Sequence, residues 1–315
     1  MIVIVLGTKA QYIKMLPILT ALRRRSVPFT IIDTGQHLSI TREFRKSFGL
    51  SAPALILHTK GDVTSFTRAF FWSLRVMVLG FWRYRAHLHR GDYCLVHGDT
   101  LSTLFGMVMG LLCRARVVHI EAGERTHKLF RPFPEEIVRR VVDRYAALCF
   151  TSSDTAFANL AAEKLAHKSI NVRHNTVLDS VRQVIDTPRE IDLPERYALV
   201  SIHRVETVCS EPRMRVVCET ARLAAKTRPV IWGMHPLTKQ HLMRQGLYDE
   251  LADDKRIITR DLFTYVEFIK AIDGAEFIVT DGGGPQEESY LLNTPCLLMR
   301  TETEREYHHN VFQAG

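Results

Sequence analysis

The chain has 315 residues, of which 46% are hydrophobic and 24% charged, with a formal net charge of +8. That length suffices for one large or two medium domains with sizeable cores, and the composition is that of an ordinary globular protein rather than a disordered one. The positive balance favours anionic partners without choosing among nucleic acid, a phosphate-bearing ligand and lipid.

Six cysteines, at 94, 113, 149, 209, 218 and 296, show no CxxC spacing. Most lie in apolar text, the pattern of reduced thiols in a cytoplasmic setting. The opening MIVIVLGTK lacks a basic n-region and runs into a glycine turn, so it reads as a buried first strand and not a signal peptide. No stretch has the length of a clean transmembrane span.

Ile2–Leu6 reads as a strand, Gly7-Thr8-Lys9 as a turn, and residues 10–25 as a helix with Ile13, Leu16, Leu19 and Leu22 at apolar positions. Phe29–Ile32 is the next strand and ends in Asp33-Thr34-Gly35-Gln36-His37. This rhythm is that of βαβ units, which predicts a parallel sheet with ligand groups at the carboxyl ends of its strands. The first loop is no GxGxxG or Walker motif, yet it can offer backbone N–H groups to a phosphate. Residues 66–84, FTRAFFWSLRVMVLGFWRY, carry many aromatics with Arg68, Arg75 and Arg83. Their apolar positions surround a helix, which favours packing into the core or a subunit interface over peripheral contact with a membrane or a partner protein.

Tyr93–His97 is a strand ending in Gly98-Asp99-Thr100, ahead of a helix from Leu101 to about Leu112. Asp99 has two readings, as the N-cap of that helix or as a rim group facing a ligand. Val117–Ile120 is apolar, and the text then turns polar at Glu121, Gly123, Glu124, Arg125 and Thr126. Pro132 and Pro134 stiffen the connection to a helix opened by Glu135, Glu136, Arg139 and Arg140. A strand end and a helix start that both deliver carboxylates can build an acid–base site. The alternative is a solvated loop and a helix with i,i+4 pairs, Glu135 to Arg139 and Glu136 to Arg140. Ala147–Thr151 is a strand, Ser153-Asp154 caps a helix to about Lys164, and Asn171–Asp179 reads as a crossover.

The turn-rich stretch 183–196, with Pro188 and Pro194, is the expected linker between domains 1–183 and 184–315. Tyr197–Ile202 opens the second domain and ends in His203-Arg204-Val205-Glu206. A basic helix at 211–227, strands at Pro229–Met234, Ile257-Ile258 and Phe277–Val279, and a last strand at Pro295–Met299 make it α/β as well. Gly282, Gly283 and Gly284 follow a strand and precede a helix. They allow close backbone approach and leave helix N–H groups for a diphosphate, while a carboxylate one turn on can accept from a ribose diol. The alternative is a tight turn with an acidic first helical turn. His203 fits an acid, a base or a phosphate donor, or a satisfied polar histidine. His203, His235 and Asp281 lack ligand spacing, so no metal is expected. The basic residues are scattered rather than interleaved with aromatics, so no nucleic-acid partner is expected. There is no G-x-S-x-G elbow, and no cysteine stands in a nucleophile context.

GTKAQYIKMLP, DTGQH, HGDT, HIEAGERT, PFPEEIVRRVVD, NTVLD, SIHR and TDGGGPQEE, in this order over nearly the whole chain, together resemble the non-hydrolysing UDP-N-acetylglucosamine 2-epimerase family. The resemblance implies two Rossmann-like domains with parallel sheets facing across a cleft, the glycosyltransferase-B (GT-B) arrangement. It also implies a cytoplasmic homodimer, a UDP-sugar substrate, no cofactor, and interconversion of UDP-N-acetylglucosamine and UDP-N-acetylmannosamine. The catalytic positions carried over are Asp99, Glu121, Glu135 and His203. The substrate-binding positions are Lys9, Lys14, Gln36, Arg139, His235, Gly282, Gly283, Gly284 and the ribose-binding Glu288. The C2 proton would leave as UDP departs from C1, giving a 2-acetamidoglucal to which UDP returns after reprotonation on the other face. The alternatives are a hydrolysing epimerase that releases N-acetylmannosamine and UDP, a GT-B glycosyltransferase, and a catalytically impaired UDP-sugar-binding homologue.

Four departures from the family pattern stand out. GTRPE is GTKAQ, with Lys9 for arginine and Gln11 for glutamate; lysine keeps charge and loses the bidentate fork. Gly282 replaces a serine, and His174 a glycine. The chain stops at Gly315, where the family continues, so a shortened second domain is expected.

Overall fold

A computed structural model describes residues 1–59, 72, 75, 76, 80, 82–127, 133–186, 191–300 and 309–314. The chain divides into two compact units, Met1–Ser180 and Val181–Gly315, each built on its own parallel sheet. No helix among the described residues is long and apolar enough to cross a membrane.

In the first unit the strands are β1 (Ile2–Leu6), β2 (Phe29–Asp33), β3 (Leu55–Ile56), β4 (Tyr93–His97), β5 (Arg116–Ala122), β6 (Leu148–Thr151) and β7 (Ser169–Asn171). They lie in the order β3-β2-β1-β4-β5-β6-β7 with every pairing parallel. The strand order reverses between β1 and β4, so their carboxyl ends flank the crevice where parallel sheets place ligands. Helices α1 (Lys9–Arg24), α2 (Leu38–Ser47), α3 (Leu101–Leu112), α4 (Glu135–Tyr145) and α5 (Asp154–Ala162) accompany the sheet. Val3, Ile4, Val5 and Leu6 are all fully buried, as a strand covered on both faces requires. Of the aromatic stretch 66–84, Trp72, Val76 and Tyr84 lie in this core and Trp82 is exposed. Residues 66–71, 73, 74, 77–79 and 81 lie outside the described residues.

Two buried polar side chains hold the loops at the carboxyl edge. Asp33 pairs with Arg45 at 2.7 Å, accepts from the Tyr12 hydroxyl at 2.9 Å and from the Gly35 N–H at 2.8 Å, and so pins the DTGQH turn. Gln11 completes a capping box with Thr8 at the start of α1. Its Oε1 accepts from the N–H groups of Gly7 (2.9 Å) and Thr8 (3.2 Å), and its Nε2 donates to the His97 carbonyl (2.8 Å) and Thr103 Oγ1 (3.0 Å). One amide therefore ties the loop after β1 to the end of β4.

Helix α6 (Val177–Ile185) runs through the division between the units. The second sheet has strands β8 (Ala198–Ser201), β9 (Val230–Met234), β10 (Ile257–Asp261), β11 (Phe277–Thr280), β12 (Cys296–Leu298) and β13 (Val311–Gln313). Their order is β10-β9-β8-β11-β12-β13, again all parallel. Helices α7 (Val205–Val208), α8 (Glu211–Ala225), α9 (Pro236–Arg244), α10 (Leu247–Ala252), α11 (Tyr265–Asp273) and α12 (Gly283–Leu291) complete it. Trp232, Leu199 and Ile278 are buried on its two faces. Pro295–Met299 is not the last strand, because Val311–Gln313 pairs with β12 at the edge. Three residues with Phe312 exposed are too few to show a period of two. Both units are Rossmann-like, the pair of folds of the GT-B class.

Gln11→Glu restores the family residue but aims a carboxylate oxygen at the His97 carbonyl, where only a donor is satisfied. The variant is expected to lose about 1–3 kcal/mol at pH 7 and to regain part of it at pH 5 as the acid takes up a proton, read by denaturant titration at both pH values.

Candidate active site

Strand β5 runs regularly to Ile120 and then slips register against β6 between Ile120 and Ala122. Glu121 sits in that bulge with φ of +63°, a left-handed conformation that a side chain rarely adopts without cause. Gly123 follows at φ +84°, and a Cβ there would lie 2.3 Å from the Ala156 carbonyl oxygen of α5. The close approach of helix to loop thus requires glycine. Breaking the alternation turns the Glu121 carboxylate toward Lys14, whose ammonium donates to both oxygens at 2.6 and 2.8 Å. Asn175 Nδ2 donates to Oε1 at 3.2 Å, and its own Oδ1 accepts from the Val177 N–H at the start of α6. His97 Nε2 stands 3.1 Å from Oε2. Lys14 therefore balances the charge of this carboxylate.

At the next strand end Asp99 carries a direct ion pair with Arg139 of α4. Helix α3 is capped by Thr100, whose side chain accepts from Thr103, so the reading of Asp99 as a helix cap is corrected: Asp99 belongs to the rim. Glu135 opens α4. The expected i,i+4 pair of Glu136 with Arg140 forms at 2.9 Å, but Glu136 is fully buried. It accepts from the Thr126 N–H (3.0 Å) and hydroxyl (3.2 Å) and anchors the loop after β5, so the solvated-loop alternative is overturned. Gln36 Oε1 accepts from Ser102 Oγ at 2.8 Å, which joins the DTGQH turn to α3. Lys9 occupies the first position of α1. His174, where the family carries glycine, is exposed, and the positive φ nearby belongs to Arg173 at +65°.

Beneath this rim lies a buried polar cluster. Asp143 Oδ1 meets His119 Nδ1 at 2.6 Å, and Oδ2 meets Arg125 at 2.8 Å and the Gly123 N–H at 3.2 Å. His119 Nε2 faces the Gly98 carbonyl at 2.8 Å. Arg125 also forms a fork with Glu163, at 2.8 and 2.9 Å. Burial on its own would push the Asp143 carboxyl up, yet His119 and Arg125 together hold it below the ordinary range. Hydrogen bonding to Arg125 holds Glu163 down as well.

The second unit gathers donors instead. The buried Asp281 carboxylate accepts from the backbone N–H groups of His203 and Arg204, each at 3.0 Å, and fixes the turn after β8. Thr280 Oγ1 accepts from the Gly282 N–H at 3.1 Å and donates to the Ser201 carbonyl at 2.8 Å. Gly282 is the N-cap of α12, so Gly283 and Gly284 form its first turn with N–H groups available to an anion. A Cβ at Gly282 would fall 2.7 Å from His203 Cε1 and 2.9 Å from Pro285 Cδ, so the ring of His203 packs directly over the turn. His203 and His235 rings lie 6.2 Å apart, and His235 Nδ1 accepts from Leu237 N–H at the start of α9. Glu288 is buried one turn into α12; burial, reinforced by the charges of Glu288 and Glu287, pushes the Tyr265 hydroxyl pKa up.

The structure thus brings together Lys14 with Glu121, Asp99 with Arg139, and His203 with His235 and the Gly282–Gly284 turn. His97, Asn175, His119 and Asp143 were not singled out from the sequence. The HGDT, HIEAGERT, PFPEEIVRRVVD and NTVLD segments contain all four, but period and spacing do not say which strand-end side chains turn inward. Among the described residues no three His, Cys, Asp or Glu side chains stand together as a metal site would need.

The depressed carboxyls carry a pH signature. Asp143 and Glu163 bind protons more weakly when folded than when unfolded, so their contribution is complete above about pH 4–4.5 and is lost as pH falls through the lower folded values. Arg125→Met removes the cation they share. Its unfolding midpoint at pH 7 is expected to drop, and its further decline below about pH 4 to be shallower than in the wild type, measured by denaturant titration across pH.

The family model described as UDP-N-acetylglucosamine 2-epimerase matches residues 20–311. A UDP-N-acetylglucosamine 2-epimerase of Methanocaldococcus jannaschii is 29% identical over 320 residues, covering 96% of this chain and 84% of that protein. One from Escherichia coli O157:H7 is 30% identical over 320 residues, covering 96% and 82%. The crystal structure of the M. jannaschii UDP-GlcNAc 2-epimerase in complex with UDP-GlcNAc and UDP is similar at a TM-score of 0.84 and 27% identity, covering 100% of this chain and 88% of that one. With the matched span running through both Rossmann-like units, the chain belongs to the UDP-N-acetylglucosamine 2-epimerase family.

Proposed function

We propose that this chain interconverts UDP-N-acetylglucosamine and UDP-N-acetylmannosamine by epimerisation at C2, without net hydrolysis. The observation that carries the reading is a pair of separately braced carboxylates on adjacent strand ends, Glu121 held by Lys14 and Asn175, and Asp99 held by Arg139. Inverting a carbon that bears a hydrogen requires a proton to leave one face and return to the other, which two fixed acid–base groups serve better than one. In the forward direction a carboxylate takes the C2 proton. The electrons of that bond form the C1–C2 double bond, and the C1–O bond breaks with its pair going to the departing UDP. Reprotonation of C2 from the opposite face and return of the diphosphate oxygen to C1 complete the cycle. Glu121 and Asp99 handle the proton, with Glu135 as a further acid.

When Glu121 takes up a proton it loses the charge that Lys14 balances, and the ammonium is freed as negative charge develops on the leaving group. His203 and the N–H groups of Gly283 and Gly284 suit the diphosphate, and Glu288 the ribose. Lys9, Gln36, Arg139 and His235 complete the substrate contacts. Support for the ligand class comes from the M. jannaschii relative, which was crystallised with UDP-GlcNAc and UDP.

Incubation with UDP-N-acetylglucosamine in deuterated water tests the reading. UDP-N-acetylmannosamine labelled at C2 is the expected product. Free UDP with N-acetylmannosamine would mean a hydrolysing enzyme, UDP-sugar binding without turnover an impaired homologue, and neither binding nor exchange would sink the proposal. Glu121→Gln keeps shape and loses proton exchange, so kcat is expected to fall at least about 10²-fold while UDP affinity holds; an unchanged kcat removes Glu121 from the mechanism.

A further inference from the structure

Asp143 lies on the last full turn of α4 and is fully buried, as is His119 in the middle of β5. It bonds to neither candidate acid, yet it is tied to the backbone beside both. One oxygen holds His119, whose far nitrogen reaches the carbonyl of Gly98, the residue before Asp99. The other oxygen takes the N–H of Gly123, two residues beyond Glu121, and meets Arg125. Both ring nitrogens of His119 are engaged, one by Asp143 Oδ1 and the other by the Gly98 carbonyl, so the ring bridges the buried carboxylate to the turn after β4. Glu121 also turns the backbone left-handed, at φ of +63°, a conformation that a non-glycine residue keeps only where surrounding contacts hold it.

We infer that Asp143, through His119, is a positioning residue that fixes the spacing between the Asp99 and Glu121 strand ends. A buried polar network of this kind tolerates little displacement, because a lost partner leaves charged groups unsatisfied in a low-dielectric interior. The two carboxylates must also be placed within a few tenths of an ångström for proton transfer. The link runs from α4 to two neighbouring strands, so a single carboxylate sets two rim positions at once. Helix α4 thereby has two roles one turn apart: Arg139 on Asp99, and Asp143 on His119 and the Gly123 N–H. This inference rests on the proposed epimerisation for its catalytic readout, and a second readout does not depend on it.

Asp143→Asn keeps volume and removes the carboxylate that His119, Arg125 and the Gly123 N–H share. Amide hydrogen exchange is expected to rise at least about tenfold in peptides covering 97–100 and 121–126, and kcat per UDP-binding site to fall about tenfold or more with KM within about twofold. A variant that is merely less stable would lose binding sites and leave kcat per site unchanged. Should Asp143→Asn fail to fold, His119→Gln leaves Asp143 with Gly123 and Arg125 and breaks the link to Gly98 alone. Exchange is then expected to rise at 97–100 and stay unchanged at 121–126, again with lower kcat. Wild-type exchange in both peptides overturns the inference whatever the activity. Raised exchange with wild-type kcat also overturns it, because the network then serves stability only. If the wild type itself does not turn over UDP-N-acetylglucosamine, the epimerase reading has failed, and the exchange measurement alone decides whether Asp143 sets the two strand ends.

Discussion

Glu121 is held at φ +63° at the carboxyl end of a buried parallel strand, and much of the first unit follows from that. A non-glycine residue in this region costs on the order of 1–3 kcal/mol unless its neighbours repay it. Here the neighbours are specific: a register slip in β5, a glycine at 123 that lets α5 come close, and Lys14 and Asn175 on the carboxylate. Each answers a consequence of the last. The bulge breaks alternation, the broken alternation turns the acid to the rim, and an acid on a half-buried rim needs a cation. The backbone strain and the chemistry are one feature.

The two units solve opposite electrostatic problems with the same fold. The first collects carboxylates at its strand ends and balances each with lysine or arginine. The second spends its buried carboxylate, Asp281, on backbone N–H groups, and so shapes a turn whose open side offers donors: the α12 start and His203. A parallel sheet makes both available, because its strand ends deliver side chains and its helix starts deliver N–H groups at the same edge.

Much of the fold was legible in the sequence because buried parallel strands are apolar runs bounded by glycine and polar turns. Ile2–Leu6, Tyr93–His97 and Phe277–Thr280 are such runs. The strands that escaped notice, β3, β7 and β13, have two or three residues each, too few for any periodicity to register. Glu136 escaped for another reason. Its spacing to Arg140 is that of a surface pair, and the pair forms, but burial turns the residue into an anchor for the loop holding Thr126. Spacing along a helix reports which residues share a face and says nothing of what covers that face.

The one-dimensional text was enough to establish the βαβ rhythm, the strand-end clusters and, through eight short motifs in order, the family. Those properties depend on local composition and on residue types that chemistry cannot easily exchange. Partnership was not contained in it. That Lys14 meets Glu121, that Arg139 meets Asp99 and not Glu135, and that Gln11 serves β4 across 86 positions of sequence are outcomes of folding. The packing of the His203 ring over Gly282, 79 positions away, is another such outcome. Contacts between distant segments arise from how the sheet orders its strands and how closely helices approach, and those are properties of the packed whole.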